Sequence, residues 1–167
     1  AILARGALGA APSLAADGAC APVGRWIEPG KSRPAKSADS IEEAADRRIV
    51  LLGERHDQAE HQRWALHTIA ALHSREPEMA LGIEAFPRRV QPVLDRWVAG
   101  QLDERAFLAE VQWYRIWGYD HEPYMAILHF ARQNRVRVVA LNVERATVAR
   151  VGREGLAQVP PQAREGV

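Results

Sequence analysis

Cysteine occurs once in 167 residues, at Cys20, so no disulfide closes within the chain and the core must hold the fold without covalent cross-links. No apolar run reaches the roughly 18 residues that a membrane-crossing helix needs. Charge of one sign is also missing: 22 Lys plus Arg face 21 Asp plus Glu, a formal net charge of +1. No basic stretch is interleaved with aromatics, so nucleic acid is not an expected partner. The zinc signature HExxH is absent. What is present, 47% hydrophobic and 26% charged residues, is globular composition sufficient for one domain with its own core.

The chain opens on small apolar residues without helical or strand period, AILARGALGAAPSLAADGACAP. They are similar to the back half of a secretory leader, with Ser13, Ala15 and Ala16 small enough for cleavage. Asp17 stands three places before Cys20, where a lipoprotein signal has an apolar residue, so lipid anchoring at Cys20 is not expected. Residues 1–16 are therefore expected to be a partial leader directing export to the periplasm. Residues 17–46, rich in Pro, Gly, Lys and Ser, are expected to form a flexible linker with a helical turn near Ile41–Ala45. Residues 47–167 are expected to be the folded domain.

The centre of that domain is RRIVLLGERHDQAEHQ, Arg47 to Gln62. Ile49–Leu52 reads as a buried strand that stops at Gly53 and releases Glu54, His56 and Asp57. Ligands in open α/β sheets sit at the carboxyl ends of strands, which makes Glu54 and His56 candidates for chemistry. Asp57 with Glu60 has the spacing of a capping box for a helix from about Gln58 to His73. Pro77 ends that helix, and Met79–Ile83 reads as a second strand closed by Glu84. Parallel pairing of the two strands would bring Glu54, His56 and Glu84 to one rim.

Helices follow at Pro87–Ala99 and from Asp103, then the aromatic segment QWYRIWGY with Trp113, Tyr114, Trp117 and Tyr119. A helix from Asp120 or His121 to about Asn134 carries Tyr124, Ile127, Leu128 and Ala131 on one face. Arg137–Leu141 is a third strand closing with Asn142, and Thr147–Leu156 a last helix. The fold class is α/β: a parallel sheet of βαβ units with helices on both faces, small enough that it is expected to be incomplete.

Three motifs in order, LLGERHD followed by HQ, LGIEAF, and WGYDHEPYMAILHFAR with VVALNVER, resemble the ChaN-like cofacial haem-binding family of the TIKI superfamily. The resemblance covers about Ile49 to Leu156. It implies a role in bacterial iron and haem acquisition, with haem as cofactor and possible outer-membrane uptake machinery as partner. It also implies a homodimer in which two haems stack face to face. By motif, Tyr124 matches the tyrosine that ligates haem iron; a phenolate is a hard donor suited to ferric iron. His56, His121 and Arg115 are the further expected cofactor-binding residues. This chain has Ala126 and Ala85 where the family tends to have Pro and Met. The superfamily also implies an alternative: a metal-dependent hydrolase in which Glu54, His56 and Glu84 hold a divalent metal or activate water. The plainest alternative is an α/β domain whose rim acids only anchor loops.

Overall fold

The computed structural model describes residues 24–28 and 33–164. The leader and Cys20 lie outside the described residues. The chain divides into two compact units between Ser40 and Ile41. In the first, β1 (Trp26–Glu28) pairs antiparallel with β2 (Arg33–Ala35), Trp26 opposite Ala35. Arg33 Nε donates to Glu28 Oε2 at 2.6 Å across the pair. Helix α1 (Ser37–Ala45) follows. The stretch expected to be a linker thus contains regular structure.

The second unit is built on helix α2 (Ala59–His73), strand β3 (Ala80–Pro87), helices α3 (Gln91–Val98), α4 (Glu104–Glu110), α5 (Trp113–Ile116) and α6 (Glu122–Gln133), strand β4 (Arg137–Asn142) and helix α7 (Arg145–Glu154). β3 and β4 pair in parallel, from Ala80 opposite Arg137 to Ile83 opposite Ala140, with a register shift before Pro87 meets Asn142. The α/β class with a small parallel sheet is as the sequence implies. Parallel strands need a long crossover, and α3 through α6 supply it.

The expected first strand does not form. Ile49–Gly53 is irregular, with Ile49 77% and Leu51 89% exposed. An apolar run becomes a strand only when a ladder partner satisfies its backbone, and β3 takes β4 instead. Among the described residues the parallel sheet therefore has two strands, not three. Asp57 is no cap either: the residue before α2 is Gln58, with no side-chain cap bond, while Asp57 Oδ1 lies 3.6 Å from Arg55 Nε. By contrast Asp103 caps α4 as its position implies, accepting from the Ala106 amide at 2.7 Å.

The main core gathers Phe86, Leu94, Trp97, Phe107, Trp113, Leu128 and Val138, all buried. Trp97 is its largest fully enclosed side chain. Its indole N–H donates to the Leu128 carbonyl at 2.9 Å, and its ring lies 4.6 Å from that of Phe107. Tertiary contact of this kind, worth about 2–3 kcal/mol per large side chain, holds helices too short to persist alone. A smaller cluster of Ala65, Ile69 and Ile127 joins α2 to α6.

Gln91, at the start of α3, secures β4. Its Nε2 donates to the Val138 carbonyl and its Oε1 accepts from the Ala140 amide, both at 2.8 Å. One side-chain amide does for this stretch what a further strand's backbone would do. Gln91→Ala is expected to leave both backbone groups unpartnered and to cost about 2–3 kcal/mol, measured by denaturant unfolding. Stability equal to the parent would show that water replaces the amide without loss.

Candidate functional site

Glu54 emerges from the irregular Ile49–Gly53 segment and turns inward, where three donors converge on its carboxylate. The Tyr124 hydroxyl donates to Oε1 at 2.6 Å, His56 Nδ1 lies 2.8 Å from the same oxygen, and Gln62 Nε2 donates to Oε2 at 2.6 Å. Burial makes these bonds strong and their loss costly: Gln62 is 1% and Tyr124 5% exposed. Each partner comes from a different element. Gln62 lies on the inward face of α2, in phase with Ala65, Ile69 and Leu72; Tyr124 lies in the first turn of α6.

The carboxylate fixes the orientation of its neighbours. His56 must carry its proton on Nδ1 to donate, so in the neutral ring the Nε2 lone pair points away from Glu54. Gln62 must turn its NH2 toward Glu54, because the flipped amide would set oxygen against oxygen. That leaves Gln62 Oε1 buried with no hydrogen-bond partner among the described residues. The Trp117 indole nitrogen is likewise buried and unpartnered.

Aromatic rings enclose the group. The His56 ring meets Trp117 edge-on at 4.4 Å and Tyr119 at 5.2 Å. The Tyr124 ring lies 5.3 Å from Trp113 and 6.2 Å from Trp117. The QWYRIWGY segment folds back on itself: Trp113 Nε1 donates to the Tyr119 carbonyl at 2.7 Å, with Gly118 at φ +83° making the turn. Burial first, then the hydrogen bond to Glu54 and its negative charge, push the Tyr124 phenol well above the usual tyrosine range. Gln62 and Trp117 work in the opposite direction without cancelling this.

Tyr124 and Glu54 also lie at the wall of an apolar cleft of about 880 Å³, within the size range of small-molecule and cofactor sites. Leu52, Ala65, Ile69, Leu81, Ile83, Phe86 and Ile127 line it.

The sequence-derived site residues divide accordingly. Glu54, His56 and Tyr124 come together. Glu84 lines the same cleft as Glu54 and Tyr124, but among the described residues no three His, Cys, Asp or Glu are grouped so as to hold a metal ion. The expected Glu54/His56/Glu84 rim fails because Ile49–Gly53 never enters the sheet beside β3. His121 belongs elsewhere, its Nδ1 2.8 Å from the Tyr114 hydroxyl and its Nε2 3.6 Å from Glu104 Oε1. Arg115 lies on a separate cleft at the carboxyl ends of β3 and β4. His61, in the first turn of α2, is engaged by local structure, its Nδ1 accepting from the Arg55 amide at 2.9 Å. Gln62 was not singled out by sequence reasoning, although a polar residue in phase with a buried apolar stripe is a readable signal.

The model of the family described as haem-binding uptake, Tiki superfamily, ChaN matches residues 40–167. The chain belongs to that family. Among solved structures, this ChaN-family chain is similar to one titled "Cofacial heme binding to ChaN of Campylobacter jejuni", with a TM-score of 0.61 and 16% identity. The match covers 73% of this chain and 50% of that one, so the chain spans half the length of the solved relative. At that identity the likeness speaks for the fold. No curated protein matches this ChaN-family chain.

Tyr124→Phe is expected to cost about 1–2 kcal/mol in denaturant unfolding, since it removes one donor from a partly buried carboxylate. The phenol binds its proton more tightly in the folded state than in the unfolded chain. The stability this contributes is complete below the ordinary tyrosine value of about 10 and is lost as pH climbs through the higher folded value. In an alkaline spectrophotometric titration, one tyrosine should ionise late and together with unfolding, and this late phase should vanish in Tyr124→Phe. A late phase that survives the substitution would assign the shift to another residue.

Proposed function

We propose that this chain binds haem in the apolar cleft beside Tyr124, with the Tyr124 oxygen as iron ligand and Glu54 as acceptor of its proton. The observation that carries this is the 2.6 Å hydrogen bond from the Tyr124 hydroxyl to Glu54 at the wall of a cleft of about 880 Å³. Membership of the haem-binding uptake family supports the same ligand class.

The donor set fits the group on one condition. A phenol ligates iron as phenolate, and this phenol is held protonated by burial. Bound haem would supply a ferric centre, a Lewis acid that stabilises a phenolate. The remaining work is done by the chain. Glu54 Oε1 already receives the phenolic hydrogen bond, so the proton has an acceptor without any rearrangement. His56 Nδ1 and Gln62 Nε2 hold that carboxylate in place from two sides.

The wider reading is a protein of bacterial haem and iron acquisition, exported to the periplasm and acting with outer-membrane uptake machinery. Exposed apolar side chains at Ile49, Leu51 and Leu141 suit association of two copies. The solved relative's title speaks of cofacial heme binding, which supports a pair of haems held across a homodimer. The metal-dependent hydrolase reading needs Glu84 beside Glu54 and His56, a set that does not assemble among the described residues.

Titration with hemin is expected to give a shifted Soret band of ferric-tyrosinate character, which Tyr124→Phe abolishes. Glu54→Gln keeps an acceptor for the hydroxyl but cannot take up its proton, so affinity should fall at least about tenfold, the equivalent of one pKa unit. A wild-type spectrum identical to that of free hemin would end the proposal.

A further inference from the structure

Gln62 is buried on the inward face of α2, in phase with Ala65, Ile69 and Leu72. A buried amide costs stability unless its polar atoms are used. Here one half is idle and the other over-subscribed. Oε1 has no hydrogen-bond partner among the described residues. Nε2 faces three acceptors: Glu54 Oε2 at 2.6 Å, and the Arg55 carbonyl and the Tyr124 oxygen at 3.3 Å each. An NH2 group has two hydrogens. The short contact to Glu54 commits one of them, and Arg55 and Tyr124 share the other.

The Tyr124 hydroxyl has a single hydrogen, committed to Glu54 Oε1 at 2.6 Å, so its oxygen is left to accept. The contacts close a circuit. It runs from the phenol oxygen to Glu54 Oε1, through the carboxylate to Oε2, across to Gln62 Nε2 and back to the phenol oxygen. A phenol held by one bond can pivot about it; one held as donor and as acceptor cannot. Tyr124 and Glu54 line the apolar cleft, and Gln62 is not among its lining residues. Gln62 therefore acts on a ligand in that cleft only through the other two.

We propose that Gln62 is a positioning residue for Tyr124, its shared amide hydrogen fixing the phenol oxygen at the cleft wall. What that oxygen then ligates rests on the haem reading above. Ligation moves the phenolic proton from the Tyr124 oxygen to Glu54 Oε1, and the negative charge moves the other way, from carboxylate to phenolate. Gln62 Nε2 touches both groups. It keeps a charge-assisted bond whichever of them is negative, so it holds the phenol in one place before and after the transfer. The Arg55 carbonyl, neutral throughout, loses the competition for the shared hydrogen once the phenol oxygen is charged.

The test uses the full chain with two substitutions. Gln62→Met keeps the length of the side chain and removes both donors; Gln62→Asn keeps the amide and withdraws it by one methylene. Methionine is apolar and a good helix former, so the first variant should fold, and the second answers the same question should it not. Without hemin, the ultraviolet Raman doublet of tyrosine reads whether a phenol oxygen donates, accepts or does both. Tyr124→Phe separates the signal of Tyr124 from those of Tyr114 and Tyr119. Both Gln62 variants are expected to shift the doublet from donor-and-acceptor to donor-only. With hemin, the parent is expected to give one ferric-tyrosinate species in electron paramagnetic resonance. The variants should give several, with affinity about fivefold lower, the ordering cost of one side chain. A doublet unchanged in both variants would overturn the positioning role whatever hemin does. A shifted doublet with the parent's single species and affinity would also overturn it, because the phenol would then keep its place without the amide. No spectral change when hemin meets the parent would overturn the haem reading instead, and a doublet shifted in both variants would still put Gln62 on the phenol oxygen.

Discussion

A single carboxylate organises the interior of this domain. Glu54 is anchored by a hydroxyl, an imidazole and an amide, and a largely covered carboxylate, its side chain 20% exposed, is held best when its oxygens are so occupied. Two of the three bonds, from Gln62 and Tyr124, tie the irregular segment after Gly53 to α2 and α6. Removing the acid would leave the buried Tyr124 hydroxyl without its acceptor and the Gln62 amide with only its longer bonds, to the Arg55 carbonyl and the Tyr124 oxygen at 3.3 Å. The same bonds set the tautomer of His56 and the protonation of Tyr124, so the structural and chemical roles of the group cannot be separated. They are one arrangement seen from two sides.

That dual role explains the unpartnered atoms nearby. Gln62 presents its NH2 to Glu54 and thereby strands its own carbonyl oxygen; the Trp117 indole nitrogen likewise has no hydrogen-bond partner among the described residues. Natural cores rarely leave such groups unpaired. Where they do, the orientation is dictated by a stronger neighbour, and here that neighbour is the charge of the carboxylate.

Much of this was legible in the sequence, for identifiable reasons. Helices α2 and α6 follow from apolar period, the cap of α4 from Asp103, and β4 from the run RVVAL, because each signal is local. Glu54, His56 and Tyr124 were marked by their motifs. The strand at Ile49–Gly53 was misjudged because strand formation depends on a partner that local composition does not specify. The failure carried through to Glu84, whose placement rested on that pairing. Asp57 lost its capping role to the competing charge of Arg55, two residues away. Arg115 was marked with the cofactor-binding residues, but its place on a separate cleft at the carboxyl ends of β3 and β4 depends on strand pairing that local composition does not specify.

The glutamine that clasps β4 has a bearing on how copies of this chain can meet. Backbone groups bonded to Gln91 are not free to template a foreign strand, which is the ordinary hazard of an uncovered sheet margin. Growth of the sheet past β4 would first have to unfasten a side chain making two good bonds. Lateral stacking through that margin is thus discouraged by the fold itself.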